Sequence, residues 1–347
     1  MDTILKNDIK FNCDVSDARY WGYFSVCGLL MRYRDLFRSE KGLKPWAVVD
    51  REEIGRWIGN KESRWPDLEE ADLRDLTIGD TVYQPFDVSG INRALGDQGF
   101  VYGAGYGMYM KPTFFLAELR SIKEISGLTV YTTGTEYVRD LFTSPGMLQQ
   151  RSIFLRLEPL VMLLLYKFSE LNAKRVTSLE DAFAQYGFRY RQLINADFEK
   201  KMESMAERYA EVLLCHEIAE AREEVPEWKD LLTLSGDRKV EHYLRAVKDL
   251  VADTSDHGPY KKIIDARDRG ALSLTVALME GYRRVLYPGI RDAYDKVILS
   301  GDWDALERTR TDGYEQFRSQ RDSIAALYRE SSGKEDFTRK IKAFCTS

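Results

Sequence analysis

Histidine is scarce in this chain, with three in 347 residues, and cysteine is nearly as rare, with four. Cys13, Cys27, Cys215 and Cys345 lie far apart and form no Cys-x-x-Cys pair. That spacing excludes a zinc ribbon and argues against a disulfide scaffold, so a reducing cytoplasm is the expected setting. No basic block exists: 51 Lys and Arg are interspersed with 56 Asp and Glu for a net charge of -5, which gives nucleic-acid binding no support. The N-terminus, MDTILKNDIKFN, has neither an apolar run nor a cleavage pattern, and no secretory signal is expected. The most apolar stretch, IFLRLEPLVMLLLYKF at 153–168, is broken by Arg156, Glu158 and Pro159. It falls short of the roughly 20 apolar residues a spanning helix needs. A buried core helix is expected there, and no membrane association.

Several catalytic signatures are also missing. HExxH would need a second histidine where Glu220 stands, and ExxH would need a glutamate where Leu213, Lys239 and Thr254 precede the three histidines. GxSxG does not occur, and YGAGYGMYM puts Met108 where GxGxxG needs its last glycine and has no P-loop lysine. The strict alternation of Gly103, Gly105 and Gly107 instead predicts a strand with one smooth face, which another backbone or a flat ligand could approach.

What is present is ordinary globular composition, 44% hydrophobic and 31% charged, enough for a sizeable core. The length suggests two domains or one large one. The first part reads as mixed. A helix is expected over 15–38, started by Asp14 or Ser16, and another over 50–60. Aromatic and β-branched residues predict strands over 100–119 and 127–134. Thr133 and Glu136 have capping-box spacing and predict a helix after them, and Ser144-Pro145 reads as a further helix start. From residue 144 onward the pattern is helical, with another capping box at Thr177 and Glu180 and about eight helices joined by short loops. The fold class expected is therefore α+β: a mixed helix and antiparallel-strand domain over 1–144, then an all-α antiparallel helical bundle over 145–347.

One helix carries the chief functional candidate. Phe198, Met202, Met205, Tyr209 and Val212 are spaced by 4, 3, 4 and 3, one continuous inward stripe. His216 continues it, and Glu220 follows one turn later. Glu217 is expected in solvent. An ionisable group on a buried stripe needs a partner, and imidazole with carboxylate suits zinc, iron or manganese. His216 and Glu220 are the primary metal candidates, with Glu223, His257 and Glu280 as further ones. A buried ion-pair cluster would satisfy the same side chains without metal, and a helix that leaves the core around Cys215, its last turns in water, would need neither. The apolar face of the following helix, Val240, Tyr243, Leu244, Val247 and Val251, leaves His242 pointing outward.

At the other end, Cys13, Asp14, Ser16, Asp17 and Arg19 cluster at an expected helix start, where a thiol of lowered pKa would be a conceivable nucleophile. Capping residues beside a buried cysteine are the alternative. The stretch NCDVSDARYWGYFSVCGLLMRYRDLFR resembles the opening of a family of uncharacterised bacterial proteins. There an Asn-Cys-Asp-x-Ser-Asp-Ala start, here residues 12–18, runs into a helix with a second Cys and a Met-Arg pair, here Cys27 and Met31-Arg32. Phe37-Arg38-Ser39-Glu40 departs from that family's Tyr-Arg-Trp-Glu-like ending. The resemblance implies a bacterial cytosolic protein and no particular activity. The two functions left open are a non-catalytic interaction or regulatory protein, with an unidentified protein or small-molecule partner, and a metal-dependent, hydrolase-like enzyme.

Overall fold

The computed structural model describes residues 3–173, 176–234 and 237–345. The fold is α+β, and the chain divides into two compact units, Met1–Leu165 and Tyr166–Ser347.

In the first unit, α1 (Thr3–Tyr20) is followed by α2 (Val26–Glu40), α3 (Arg51–Glu62) and α4 (Trp65–Glu69). The single helix expected over 15–38 is therefore two. The chain breaks at residues 21–25, and Ser25 caps α2 by accepting from the Gly28 N–H at 3.1 Å. Asp14 and Ser16, expected as caps, sit in mid-helix and are buried. A two-stranded ribbon, β1 (Leu76–Ile78) and β2 (Thr81–Tyr83), precedes α5 (Val88–Leu95).

The main sheet comprises β3 (Phe100–Tyr106), β4 (Pro112–Ile125), β5 (Leu128–Arg139), β6 (Gly146–Gln149) and β7 (Ser152–Arg156), ordered β3-β4-β5-β7-β6. Pairing is antiparallel except between β5 and β7, which run parallel. Ser126 and Gly127 both take positive φ in the two-residue turn joining β4 to β5, the conformation that matches strand twist. Two expected helix starts are strands instead. Thr133 and Glu136 lie within β5, because TVYTTGTEYV is rich in the Thr, Val and Tyr that fit a pleated sheet. Ser144-Pro145 leads into β6, so the sheet continues beyond residue 144. The apolar run at 153–168 is likewise split between β7 and α6 (Leu157–Ala173). The unit's main core joins Leu5, Ile9 and Cys13 of α1 to Ile91 of α5 and to Phe114, Phe115, Leu116 and Phe154 of the sheet.

The second unit is helical. After the remainder of α6 come α7 (Thr177–Gln185), α8 (Ala196–Arg222), α9 (Pro226–Leu234), α10 (Arg238–Thr254) and α11 (Pro259–Ala266). They are followed by α12 (Arg269–Ala277), α13 (Gly281–Leu286), α14 (Gly289–Ser300), α15 (Trp303–Arg329) and α16 (Lys334–Phe344). Its core gathers Trp228 and Leu231 of α9, Val240, Tyr243, Leu244 and Val247 of α10, Ile324 of α15, and Phe337 and Ile341 of α16. Among the described residues, no helix is long and apolar enough to cross a membrane.

Candidate metal centre

The inward stripe of α8 is present as the spacing predicts: Phe198, Met202, Met205, Tyr209 and Val212 are all buried. The helix starts at Asn195, whose side chain accepts from the Phe198 N–H at 3.0 Å. It packs against α10, whose Val240, Tyr243, Leu244, Val247 and Val251 are also buried while His242 is exposed. Where α8 meets the later turns of α10, the contact changes from apolar to ionic.

His216 Nδ1 lies 2.7 Å from Asp253 Oδ1, and its Nε2 lies 3.6 Å from Glu220 Oε2. Single ligand atoms of His216, Glu220 and Asp249 all fall within 4.8 Å of one another, close enough to share one metal ion. Asp253 thus grips one side of the imidazole while the other faces Glu220. That arrangement, a carboxylate behind the histidine, recurs behind metal-bound imidazoles and fixes ring orientation. One imidazole and two carboxylates suit zinc, manganese or iron(II).

The same acids have cationic neighbours. Lys248 donates to Glu220, and Arg283 of α13 reaches Asp253 at 3.6 Å and Asp249 at 3.9 Å. Burial by itself would lower the pKa of His216, but the Asp253 carboxylate beside it prevails and holds the ring well above its usual range. Burial would raise Glu220, yet Lys248 and His216 pull it down to about 2. Glu217, expected in solvent, is 6% exposed, and burial with Glu220 nearby pushes its carboxyl up to about 8. Glu217 is consequently protonated at neutral pH.

Glu223, His257 and Glu280 lie outside this trio. The carboxylate of Glu223 accepts from the Tyr314 hydroxyl at 2.7 Å and from Arg321 at 3.0 Å, both on α15. His257 is exposed, with Nε2 at 2.5 Å from an Arg222 nitrogen. Glu280 is not buried at a pocket wall: its side chain is 69% exposed and meets Lys167. The apolar segment before it ends one residue earlier, and Glu280 is already the residue preceding α13.

The N-terminal NCDVSDA segment builds a second ionic cluster inside the first unit. Lys111 is buried, with Nζ 2.8 Å from Ser16 Oγ, 3.2 Å from Asp17 Oδ1 and 3.5 Å from Asp140 Oδ1. Asp17 also accepts from the Leu141 N–H at 3.0 Å, and Asp140 accepts from the Phe114 N–H at 2.8 Å and the Phe142 N–H at 2.6 Å. Asp14 pairs with Lys61, and Asn12 clamps the backbone of Arg74 through both its amide atoms at 2.7 and 2.9 Å.

Residues 4–156 match the N-terminal domain, and residues 162–345 the C-terminal domain, of a family of unknown function designated DUF6866. The chain belongs to this family. No curated protein and no solved structure matches it.

In this DUF6866 chain the sequence pattern led to His216 and Glu220 and missed Asp249 and Asp253. A signal for them existed: Asp249 and Asp253 are one turn apart on the flank of a strongly apolar helix face. Cys13 is not at a helix start. It lies in mid-α1, its Sγ 3.4 Å from the Phe114 carbonyl, and burial pushes its thiol pKa well above the usual value. The smooth face at Gly103 is used from within the same sheet, since a Cβ there would run into the Phe115 ring of the opposed β4 residue. Gly105 and Gly107 are filled likewise by Gln149 and Phe142.

Proposed function

We propose that the C-terminal unit is a divalent-metal-binding module, with His216, Glu220 and Asp249 as ligands and Asp253 as the residue that orients the imidazole. The observation that carries this reading is the 2.7 Å contact between Asp253 and His216 Nδ1, which leaves Nε2 toward Glu220, with an Asp249 oxygen in the same cluster. Zinc, manganese or iron(II) in that place would act as a Lewis acid toward a bound oxygen. We read the role as interaction or regulation rather than turnover. A metal there would tie α8 to α10, the two helices that supply its ligands. Four free cysteines are compatible with a reducing cytoplasm for this chain.

A second reading is an ion-pair core that sets helix register without metal, favoured by the contacts of Lys248 and Arg283 with the same carboxylates. Titration of metal-stripped protein with Zn²⁺ and Mn²⁺ by calorimetry separates the two. The metal reading expects one ion per chain, no binding by His216→Ala, and about 10–100-fold weaker binding by Asp253→Asn. Absence of stoichiometric binding by the wild-type chain sinks it, and a destabilised His216→Ala would then establish the ion-pair role.

A further inference from the structure

Arg139, the last residue of β5, is 3% exposed, and none of its three guanidinium nitrogens has a hydrogen-bond partner. This is unusual, because a buried charge is ordinarily paired and a buried N–H ordinarily bonded. The reason is competition for one acid. Glu136 lies three residues earlier on the same strand, but Arg156 of β7 takes both its carboxylate oxygens in a fork at 2.6 and 3.0 Å. Arg156 is itself stacked over the Phe115 ring, 4.2 Å from its centre, so the fork is held in place. Arg139 is left 3.8 Å from Glu136, near enough for attraction and too far for a bond.

The remaining acid nearby does not fill the gap. Glu158 of α6 spends one oxygen on the Glu136 N–H at 2.8 Å. Burial and the neighbouring Glu136 push its carboxyl up to about 7. Two guanidinium cations, Arg139 and Arg156, therefore face one carboxylate already forked by Arg156 and one, Glu158, whose carboxyl is raised by burial. What is missing is a negative charge carrying two oxygens, the shape that a free guanidinium edge accepts best.

The geometry points to Arg139 as a buried receptor for a small carboxylate-type oxyanion, of acetate or bicarbonate size, held in a fork by its guanidinium. The burial of Arg139 restricts the ligand to a few heavy atoms. The planar, two-oxygen anion is favoured over a spherical one because all three guanidinium nitrogens lack a hydrogen-bond partner.

Crystals of the wild-type chain grown with acetate, and separately with bicarbonate, provide the first test. A planar ligand with two oxygens at hydrogen-bond distance from Arg139 is expected; one or two water molecules there, or nothing, under both conditions overturns the proposal. The second test is thermal denaturation against acetate, with chloride at matched ionic strength as control. A saturable rise in Tm specific to acetate is expected, with half-saturation at least tenfold higher in Arg139→Lys, which keeps the charge and loses the fork. Identical curves for acetate and chloride in the wild type overturn it, and should Arg139→Lys not fold, the wild-type crystals and titration decide.

Discussion

Replacing Lys111 by methionine tests the ionic cluster of the first unit. Methionine keeps most of the stem and removes the ammonium, leaving Asp17 and Asp140 buried without their shared cation. Removing one partner of a buried pair costs about 3–5 kcal/mol, because the abandoned charge remains in the interior. Both acids keep backbone donors, from Leu141 to Asp17 and from Phe114 and Phe142 to Asp140, which places the expected loss near the lower end, about 3 kcal/mol. The pH dependence gives a sharper test. Burial raises the Asp17 carboxyl to about 6 even with Lys111 beside it. Its unfolded value is about 3.9, so the native state holds the extra proton between those two pH values. On this group's account stability is fully present below about pH 4 and declines as pH rises to about 6, by up to about 3 kcal/mol. Without Lys111 the carboxyl rises further, so the penalty of Lys111→Met is larger at pH 8 than at pH 5. Urea unfolding followed by tryptophan fluorescence reads this unit well, since Trp21, Trp46, Trp57 and Trp65 all lie in it. Adding Asp17→Asn to Lys111→Met is expected to recover about 1 kcal/mol or more at pH 8. A loss below about 1 kcal/mol, or one equal at pH 5 and pH 8, would refute the reasoning.

Further outcomes follow from other sites. Gly103→Val drives a side chain into the Phe115 ring, and a loss of about 1–3 kcal/mol is expected in the same unfolding assay, with Gly99→Ser, in open space though at positive φ, as a milder comparison. Glu158→Gln removes a carboxyl that titrates at about 7: the wild type loses stability as pH rises from about 4.5 to 7 and the variant does not, so their Tm difference should shift in favour of the variant above pH 7. Glu217→Gln replaces a group that is protonated in the native state up to about pH 8 but ionises in the unfolded chain at about pH 4.5, so its Tm should match wild type at about pH 4 and exceed it by a growing margin as pH rises to about 8. Glu223→Ala and His257→Ala should leave the zinc stoichiometry at the wild-type value while His216→Ala removes it, as read by calorimetry.

The legible parts of the sequence were those where one period ran long enough to be read. The α8 and α10 faces followed from apolar spacing, and the strands at 100–119 and 127–134 from their aromatic and β-branched content. The misreadings share a cause. Asp14, Ser16 and Glu136 are residue types found at helix starts when exposed, and here they are buried with partners that arrive from far along the chain: Lys61, Lys111 and Arg156. Local propensity cannot register a lysine some 95 positions away. The candidate centre shows the same limit. His216 and Glu220 are one turn apart on a single helix and were visible. Asp249 and Asp253 reach the imidazole only because α10 packs on α8, and Glu217 is buried by that packing although its place off the apolar stripe argued for solvent.

The shell around Lys111 also governs assembly. Its oxygens come from positions 16 and 17 at one end of the unit and position 140 at the other. During synthesis the ammonium has no complete set of partners until nearly the whole unit has left the ribosome. A fragment ending after β4 would have to keep that nitrogen hydrated and so could not close its interior. Maturation of this half is therefore expected as a single late event rather than strand by strand, and split or circularly permuted versions should succeed only where both halves can still reach the lysine.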